Sequence, residues 1–224
     1  MDRSPRVARY TWARQWPAAA LFGVAQGVIA LAPFAVMRSL GSSDLVVSLI
    51  ITAWQFPWIL APLCEPLLLR LDPQRAFRWI GAAMFLPLLF VVFVDVDPVG
   101  PHGSGKGDLL LFLCLLFFES AANIAFVPHR GALIHANYPV EVRGRFYGLL
   151  TAVMILMSVF SSKAGGLLLD LDPRWLRAIY PAAALAGLLA LRQYSRIRWR
   201  QARRQRAHGE TLGFREAWRT TARI

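Results

Sequence analysis

Apolar residues along this chain fall into six long runs, and polar residues collect in the gaps between them. The runs are Trp16 to Met37, Leu45 to Leu69, Phe77 to Val94, Leu109 to Ala136, Phe146 to Leu169 and Trp175 to Leu191. A helix needs roughly 20 apolar residues to cross the hydrocarbon core of a bilayer. Because the runs are continuous and do not alternate every second residue, they predict helices and not the strands of a barrel. The pattern predicts an all-α integral membrane protein with six transmembrane helices over residues 16–191. Residues 1–15 read as a polar cytoplasmic tail before the bundle, and residues 192–224 as a basic cytoplasmic tail after it. The fourth run is over-long and contains Pro128, so its last turns are expected to bend or to leave the membrane.

Composition agrees with the pattern. Of 224 residues, 56% are hydrophobic and only 17% charged, too few polar side chains to cover a soluble domain of this size. A net charge of +12 would suit a nucleic-acid partner, but the basic residues flank apolar runs and do not cover a polar domain. The partner implied is the lipid bilayer and not nucleic acid. Most of the 25 Lys and Arg lie in the N-terminal tail, in Arg70/Arg75/Arg78, in Arg130/Arg143/Arg145 and in the C-terminal tail. The opposite side carries Arg38, Lys106, Arg174 and Arg177 beside Asp44, Asp95, Asp97, Asp108, Asp170 and Asp172. The positive-inside rule therefore predicts that both termini are cytoplasmic. Arg192 to Arg206, with Ile197 and Trp199 among the arginines, reads as a helix lying on the anionic leaflet. Met1 to Gln15 resembles the start of a signal peptide, but the following run is too long and lacks a cleavage site, so an uncleaved tail is expected. Cys64 and Cys114 fall inside runs and are expected to be free thiols packed as small hydrophobes.

Polar groups inside the runs show where chemistry is to be sought, because an ionisable side chain at bilayer depth is costly and functional by default. Glu119 lies roughly 15 Å into the fourth run, near the midplane, and Gln26 lies at a similar depth in the first. Arg130, Glu65 and Lys163 fall near a membrane boundary, where a long side chain reaches the headgroups. Asn123 follows Glu119 at i+4 and Arg130 at i+11, so the three share one helical face. Glu119 has two readings: uptake of a proton or pairing with a cationic part of a substrate, or a protonated carboxyl bonded to Asn123 or a neighbouring helix. His129-Arg130 reads as a positive-inside anchor in preference to a grip on an anion. Gly23 and Gly27 have the GxxxG spacing that admits a close helix neighbour, or are simply two small residues in an Ala-rich helix. Trp54 and Trp58, at i and i+4, read as packing. No Ser-His-Asp, CxxC, P-loop or paired-carboxylate arrangement stands out, and His129 and His135 have no ligand partners at useful spacing. Nothing predicts an enzyme, a metal or a cofactor.

Between the fourth and fifth runs the chain reads Tyr138-Pro139-Val140-Glu141-Val142-Arg143-Gly144-Arg145-Phe146-Tyr147-Gly148. Pro139 stops one helix and Glu141 suits the first turn of the next. Arg143 and Arg145 are expected at the anionic cytoplasmic face, with Gly144 and Gly148 permitting close backbone packing. The segment resembles the cytoplasmic loop between helices four and five of the major facilitator superfamily, where a proline, a few residues and R-G-R-x-x-G recur. Gly165-Gly166-Leu167-Leu168-Leu169-Asp170, followed by Asp172-Pro173-Arg174-Trp175, is similar to the end of helix five and the start of helix six there. The resemblance covers the chain as an N-terminal half and implies a bundle of two three-helix repeats. An internal echo of Ile29-Ala30-Leu31-Ala32-Pro33 in Ile124-Ala125-Phe126-Val127-Pro128 places the first run opposite the fourth, as such a repeat requires. Two signatures depart from the family. Pro66 to Arg75 lacks the glycine of the loop between helices two and three, and has Arg70 where an acid is usual, with Asp72 displaced. Ser161-Ser162-Lys163-Ala164-Gly165-Gly166 lacks the Gly-Pro of the antiporter pattern.

The resemblance implies transport of a small solute by alternating access, with Gln26, Glu119 and Asn123 lining a substrate or proton cavity. It implies helix packing through Gly23, Gly27, Gly165 and Gly166, and a bacterial cytoplasmic (inner) membrane location. Gly213 to Arg219 resembles the central loop that leads towards a seventh helix. A second six-helix half is therefore expected, as another copy in a homodimer, a partner chain or a missing C-terminal half. The alternatives are a membrane interaction or assembly protein that moves no solute, and an inactive truncated transporter.

Overall fold

The computed structural model describes residues 4–40, 44–60, 73–96 and 106–197. Among them the regular structure is helical, with no strand. The helices are α1 (Ser4–Ile29), α2 (Ala32–Ser39), α3 (Asp44–Gln55), α4 (Pro73–Leu89), α5 (Lys106–Asn137), α6 (Val140–Leu171) and α7 (Leu176–Ser195). Tighter 3₁₀ turns extend α3 over Phe56–Leu60 and α4 over Phe90–Phe93, and Pro173–Trp175 leads into α7.

Pro33 and Pro57 coincide with breaks, whereas Pro17, Pro87, Pro128 and Pro181 lie inside helices. Pro33 has no N–H for the Ile29 carbonyl and its ring crowds that oxygen, so α1 ends at Ile29 and the helix restarts as α2. Pro57 coincides with the change from α3 to a 3₁₀ turn. Pro128 breaks nothing: α5 runs through it to Asn137, so the expected departure of its last turns does not occur as a helix break. One turn back, His129 Nδ1 lies 2.8 Å from the Ala125 carbonyl, adding a polar contact beside the carbonyl that Pro128 cannot serve.

Four stretches are long and apolar enough to cross a membrane: Arg9–Arg38, Arg75–Phe93, Gly107–Asn137 and Val140–Leu171. Their outer faces expose Trp16, Trp79, Phe118 and Phe160, a surface suited to lipid and not to water. The other two predicted spans differ. In the second, Val47–Ile59 forms a shorter apolar helix, and residues 61–69, with Cys64 and Glu65, lie outside the described residues. The sixth is α7, which is 20 residues long but has its leucines diluted by Arg177, Tyr180, Pro181 and Gly187. Its buried face, Leu176, Ile179, Tyr180, Ala183, Ala184, Gly187, Ala190, Leu191 and Tyr194, repeats at helical spacing and lies inside the bundle. The expected polar tail is also different: α1 begins at Ser4, and Thr11 and Gln15 are buried within the bundle. Cys114 is a free thiol, exposed on α5 and not packed inward.

The helices pair in a definite order. α1 lies along α6 and α7, α4 along α7 and α5, and α3 against α2 and α5. The bundle has one basic end, where Arg14, Arg78, Arg145 and Arg192 sit, and one mixed end. At the mixed end Arg38 pairs with Asp170 at 2.8 Å, and Arg177 pairs with Asp95 at 2.5 Å while also donating to the Val94 carbonyl. Both ion pairs are open to solvent and so contribute little stability, but they tie α2 to α6 and α4 to α7.

At the basic end α5 and α6 are joined only by Tyr138 and Pro139. The Pro139–Gly148 segment is thus no loop but the first turns of α6, with Pro139 at its N-cap and Glu141 in its first turn. Arg143 reaches back over the α5 terminus, its Nη1 2.7 Å from His135 Nδ1 and its Nη2 donating to the His135 and Tyr138 carbonyls at 3.1 and 3.3 Å. A cation there satisfies terminal carbonyls and meets the negative end of the helix dipole. Arg143→Ala is expected to loosen the last turn of α5 by about 1 kcal/mol. Amide exchange over residues 134–138 should then be about fivefold faster, and Arg145→Ala should leave it unchanged.

Candidate functional site

Glu119 is placed by the middle of α5 with no exposed surface. Gln26 of α1 donates from Nε2 to Glu119 Oε1 at 3.0 Å, so two groups 93 residues apart in sequence meet at one depth. Ser120 Oγ donates to the Trp54 carbonyl at 2.6 Å, which brings α3 to the same level. The Trp54 indole approaches the Glu119 carboxyl, although its Nε1 makes no hydrogen bond of good geometry. From α7, Tyr180 lies within electrostatic reach of Glu119, its ring edge-on to Phe112. Glu119 Oε2 and the Tyr180 hydroxyl have no hydrogen-bond partner among the described residues. Unpaired buried polar atoms are expensive and uncommon, so one acceptor and two donors without partners in a single layer set this level of the bundle apart.

Asn123 lies one turn along, 8% exposed, and makes no hydrogen bond to Glu119. The expected trio is therefore a bonded pair, Gln26 and Glu119, with Asn123 beside it. Glu119 itself is enclosed by α1, α3, α5 and α7, whereas Gln26 is half-buried. Trp54 and Tyr180 belong to the layer but are hard to find by sequence, because an aromatic residue in an apolar run reads as core. The one signal was a phenolic hydroxyl in the middle of an Ala- and Leu-rich helix.

The glycines divide into two groups. A Cβ on Gly23 would run into the Met154 carbonyl oxygen and lie 3.0 Å from Met154 Cα, and one on Gly27 would meet the Ser158 carbonyl and the Ser161 hydroxyl. α1 and α6 touch backbone to backbone there. A Cβ on Gly165 would lie 2.6 Å from Leu31 Cδ1, whereas one on Gly166 would make only ordinary contact with Leu31 at 3.9 Å. Gly144 and Gly148 correct an expectation. A Cβ on either meets nothing within 4 Å, because no described element packs on that side of α6.

Arg130 corrects another. It does not reach for the membrane surface: only 8% exposed, it turns into the seam between α5 and α6. Its Nη1 is 3.4 Å from Met154 Sδ, its Nη2 3.4 Å from Thr151 Oγ1, and its guanidinium lies 5.6 Å above the Tyr147 ring. Lys163, by contrast, is exposed. Nearer the basic end, Tyr138 donates to Gln15 Oε1 at 2.7 Å, and its ring stacks on Phe146 at 4.7 Å. Burial pushes the Tyr138 hydroxyl well above its ordinary range, so it stays a neutral donor. The Pro66–Asp72 stretch and the tail beyond Ile197 lie outside the described residues. No cluster of three or more His, Cys, Asp or Glu that would hold a metal occurs among the described residues.

Fold and site together define a helical membrane-type protein with a buried, hydrogen-bonded carboxyl where its helices converge. Compared with known families, curated proteins and solved structures, the chain matches none.

Proposed function

We propose that the chain forms a six-helix bundle of a solute transporter that works by alternating access against a second bundle of similar plan. The supporting observation is the order of helix packing. Counting α1 with α2 as the first segment and α3 to α7 as the next five, the first packs on the fifth and sixth, the fourth on the second and third, and the third on the sixth. Exchanging the first three segments with the last three leaves this pattern unchanged. That is what a duplicated three-helix unit produces, and repeats of this kind hold substrate at mid-membrane where they meet. Gln26 and Glu119 lie on the first and fourth segments, which the exchange interchanges, and they meet there. In this reading Glu119 binds a proton or a cationic group of a small solute, with Trp54 and Tyr180 offering donors to its polar parts. The basic end faces the cytoplasm of a bacterial inner membrane, in keeping with the positive-inside rule.

A non-transporting assembly protein is the second reading, favoured by the enclosure of Glu119, since a carboxyl bonded between helices also serves to fix their register. Thiol accessibility separates the two. With Cys64 and Cys114 replaced by serine, Gln26→Cys is expected to react with a membrane-impermeant maleimide in intact cells and also in inverted vesicles. Ala184→Cys, fully buried between helices, sets the background. Reaction of Gln26→Cys no faster than that background from both sides would rule out alternating access.

A further inference from the structure

The Arg130 guanidinium is a charge without a counter-charge. Neither ion pair among the described residues involves it. Of its two contacts of hydrogen-bond type, the one to Thr151 is long and the other goes to a thioether, a weak acceptor, and its Nε has no partner. A cation so enclosed forfeits hydration, and neutral neighbours return little of that; a bound anion would return much more through paired charged hydrogen bonds. Position alone does not account for it, because an arginine near a helix end can lie along the surface with its charge in water, as the exposed Arg145 and Arg192 do.

The surroundings are built from four elements, and α7 brings Tyr194 within electrostatic reach of Arg130. Tyr147, Thr151 and Met154 follow one another at i, i+4 and i+7 along α6 and present one face to the guanidinium. Met154 is held in turn by the close passage of α1 at Gly23. His129, the neighbour of Arg130 on α5, packs edge-on to Phe77 and is directed elsewhere. The seam is also open on one side: α5 and α6 meet only sparsely beyond their turn, and a Cβ on Gly144 or Gly148 would touch nothing. Arg130 is seven residues from the end of α5, about 10 Å along the axis, within reach of the headgroup layer and of the aqueous phase at the basic end.

We propose that Arg130, with Thr151 as a supporting hydroxyl, binds an oxyanion, either phosphate or a phosphate headgroup, in the α5–α6 seam. The planar fork of an arginine suits two oxygens of such a group, and the Thr151 hydroxyl supplies a further donor. The site is separate from the Glu119 layer, about 16 Å away along α5, and does not depend on the transport reading.

The test uses the full chain purified in detergent, with thermal unfolding as the readout. Inorganic phosphate at saturating concentration, or mixed micelles containing phosphatidylglycerol, should raise the wild-type midpoint by about 5 °C relative to chloride or phosphatidylcholine at equal ionic strength. Response to phosphate identifies a free anion, and response to phosphatidylglycerol alone identifies a lipid headgroup; either supports the site. Arg130→Gln should abolish the response, and Arg145→Gln, an equal loss of charge at the same end, should keep it. Should Arg130→Gln fail to fold, Arg130→Lys, which keeps the charge and loses the fork, should at least halve the shift. No shift in the wild type, or an undiminished shift in the Arg130 variant that folds, overturns the proposal.

Discussion

Leucine at position 27 is expected to separate α1 from α6 and leave a protein that does not survive extraction as a monodisperse species. Gly27 sits where a single added carbon already collides with the Ser158 carbonyl and the Ser161 hydroxyl, and comes within 2.8 Å of the Ser158 carbonyl carbon. A flexible side chain could swing away from such a contact, but the obstacle here is the backbone of α6. The Ser158 carbonyl is further held by the Ser161 hydroxyl, which donates to it at 3.1 Å. Relief requires the two helices to move apart, and that would undo the Gly23 contact with Met154 one turn away. Overpacking of this kind costs about 3 kcal/mol or more even for Gly27→Ala, and leucine should be worse. Gly144→Ala is the opposite case. With open space around it and a helical backbone, it should gain up to about 1 kcal/mol from helix propensity. Thermal unfolding in detergent with size-exclusion profiles measures both. A Gly27→Leu protein as stable as the wild type would mean that α1 and α6 do not cross there.

These two glycine pairs show how far sequence reading reaches. Gly23/Gly27 and Gly144/Gly148 have the same spacing, yet one is pressed against a neighbour and the other faces open space. Spacing tells what a helix permits; which side a partner occupies is settled by the rest of the bundle. Helices themselves were readable, because a backbone in an apolar run has only itself to bond with. Their ends were not. Residues 4–15 look like a tail because they are polar, but Gln15 is fixed by Tyr138, 123 residues away, and no local pattern encodes that bond. The Pro139 stop and the helix from Phe146 onward were visible, whereas the helical state of Arg143 to Arg145 was concealed by a motif that reads as a loop.

Depth along a helix was a better guide than face. Counting residues placed Gln26 and Glu119 at the same level, and they lie 3.0 Å apart. The shared face of Glu119, Asn123 and Arg130 did not make them one site. Glu119 turns to α1, while Arg130 turns to α6. A side chain as long as arginine can run towards the surface or across a seam from the same Cα, and only the neighbouring helix decides.

Glu119 is where the proposed function and the stability of the bundle can be pulled apart. Glutamine has the same shape and retains a carbonyl oxygen, so Glu119→Gln can still accept from Gln26 Nε2 and should unfold within about 1 kcal/mol of the wild type. Leucine removes that acceptor and leaves the Gln26 amide unsatisfied in the interior, which should cost about 1–3 kcal/mol. If Glu119 only fixes helix register, glutamine is harmless in every assay. If it carries a proton or meets a cationic group, glutamine is silent in stability but abolishes coupling, since an amide neither takes up a proton nor holds a charge. In proteoliposomes, substrate-driven proton movement should then fall to background in Glu119→Gln while substrate still binds. Tyr180→Phe, which removes the unpartnered hydroxyl facing the same layer, should unfold no earlier than the wild type and should weaken that binding by about tenfold. Undiminished proton coupling in Glu119→Gln would leave the carboxyl with its structural role alone.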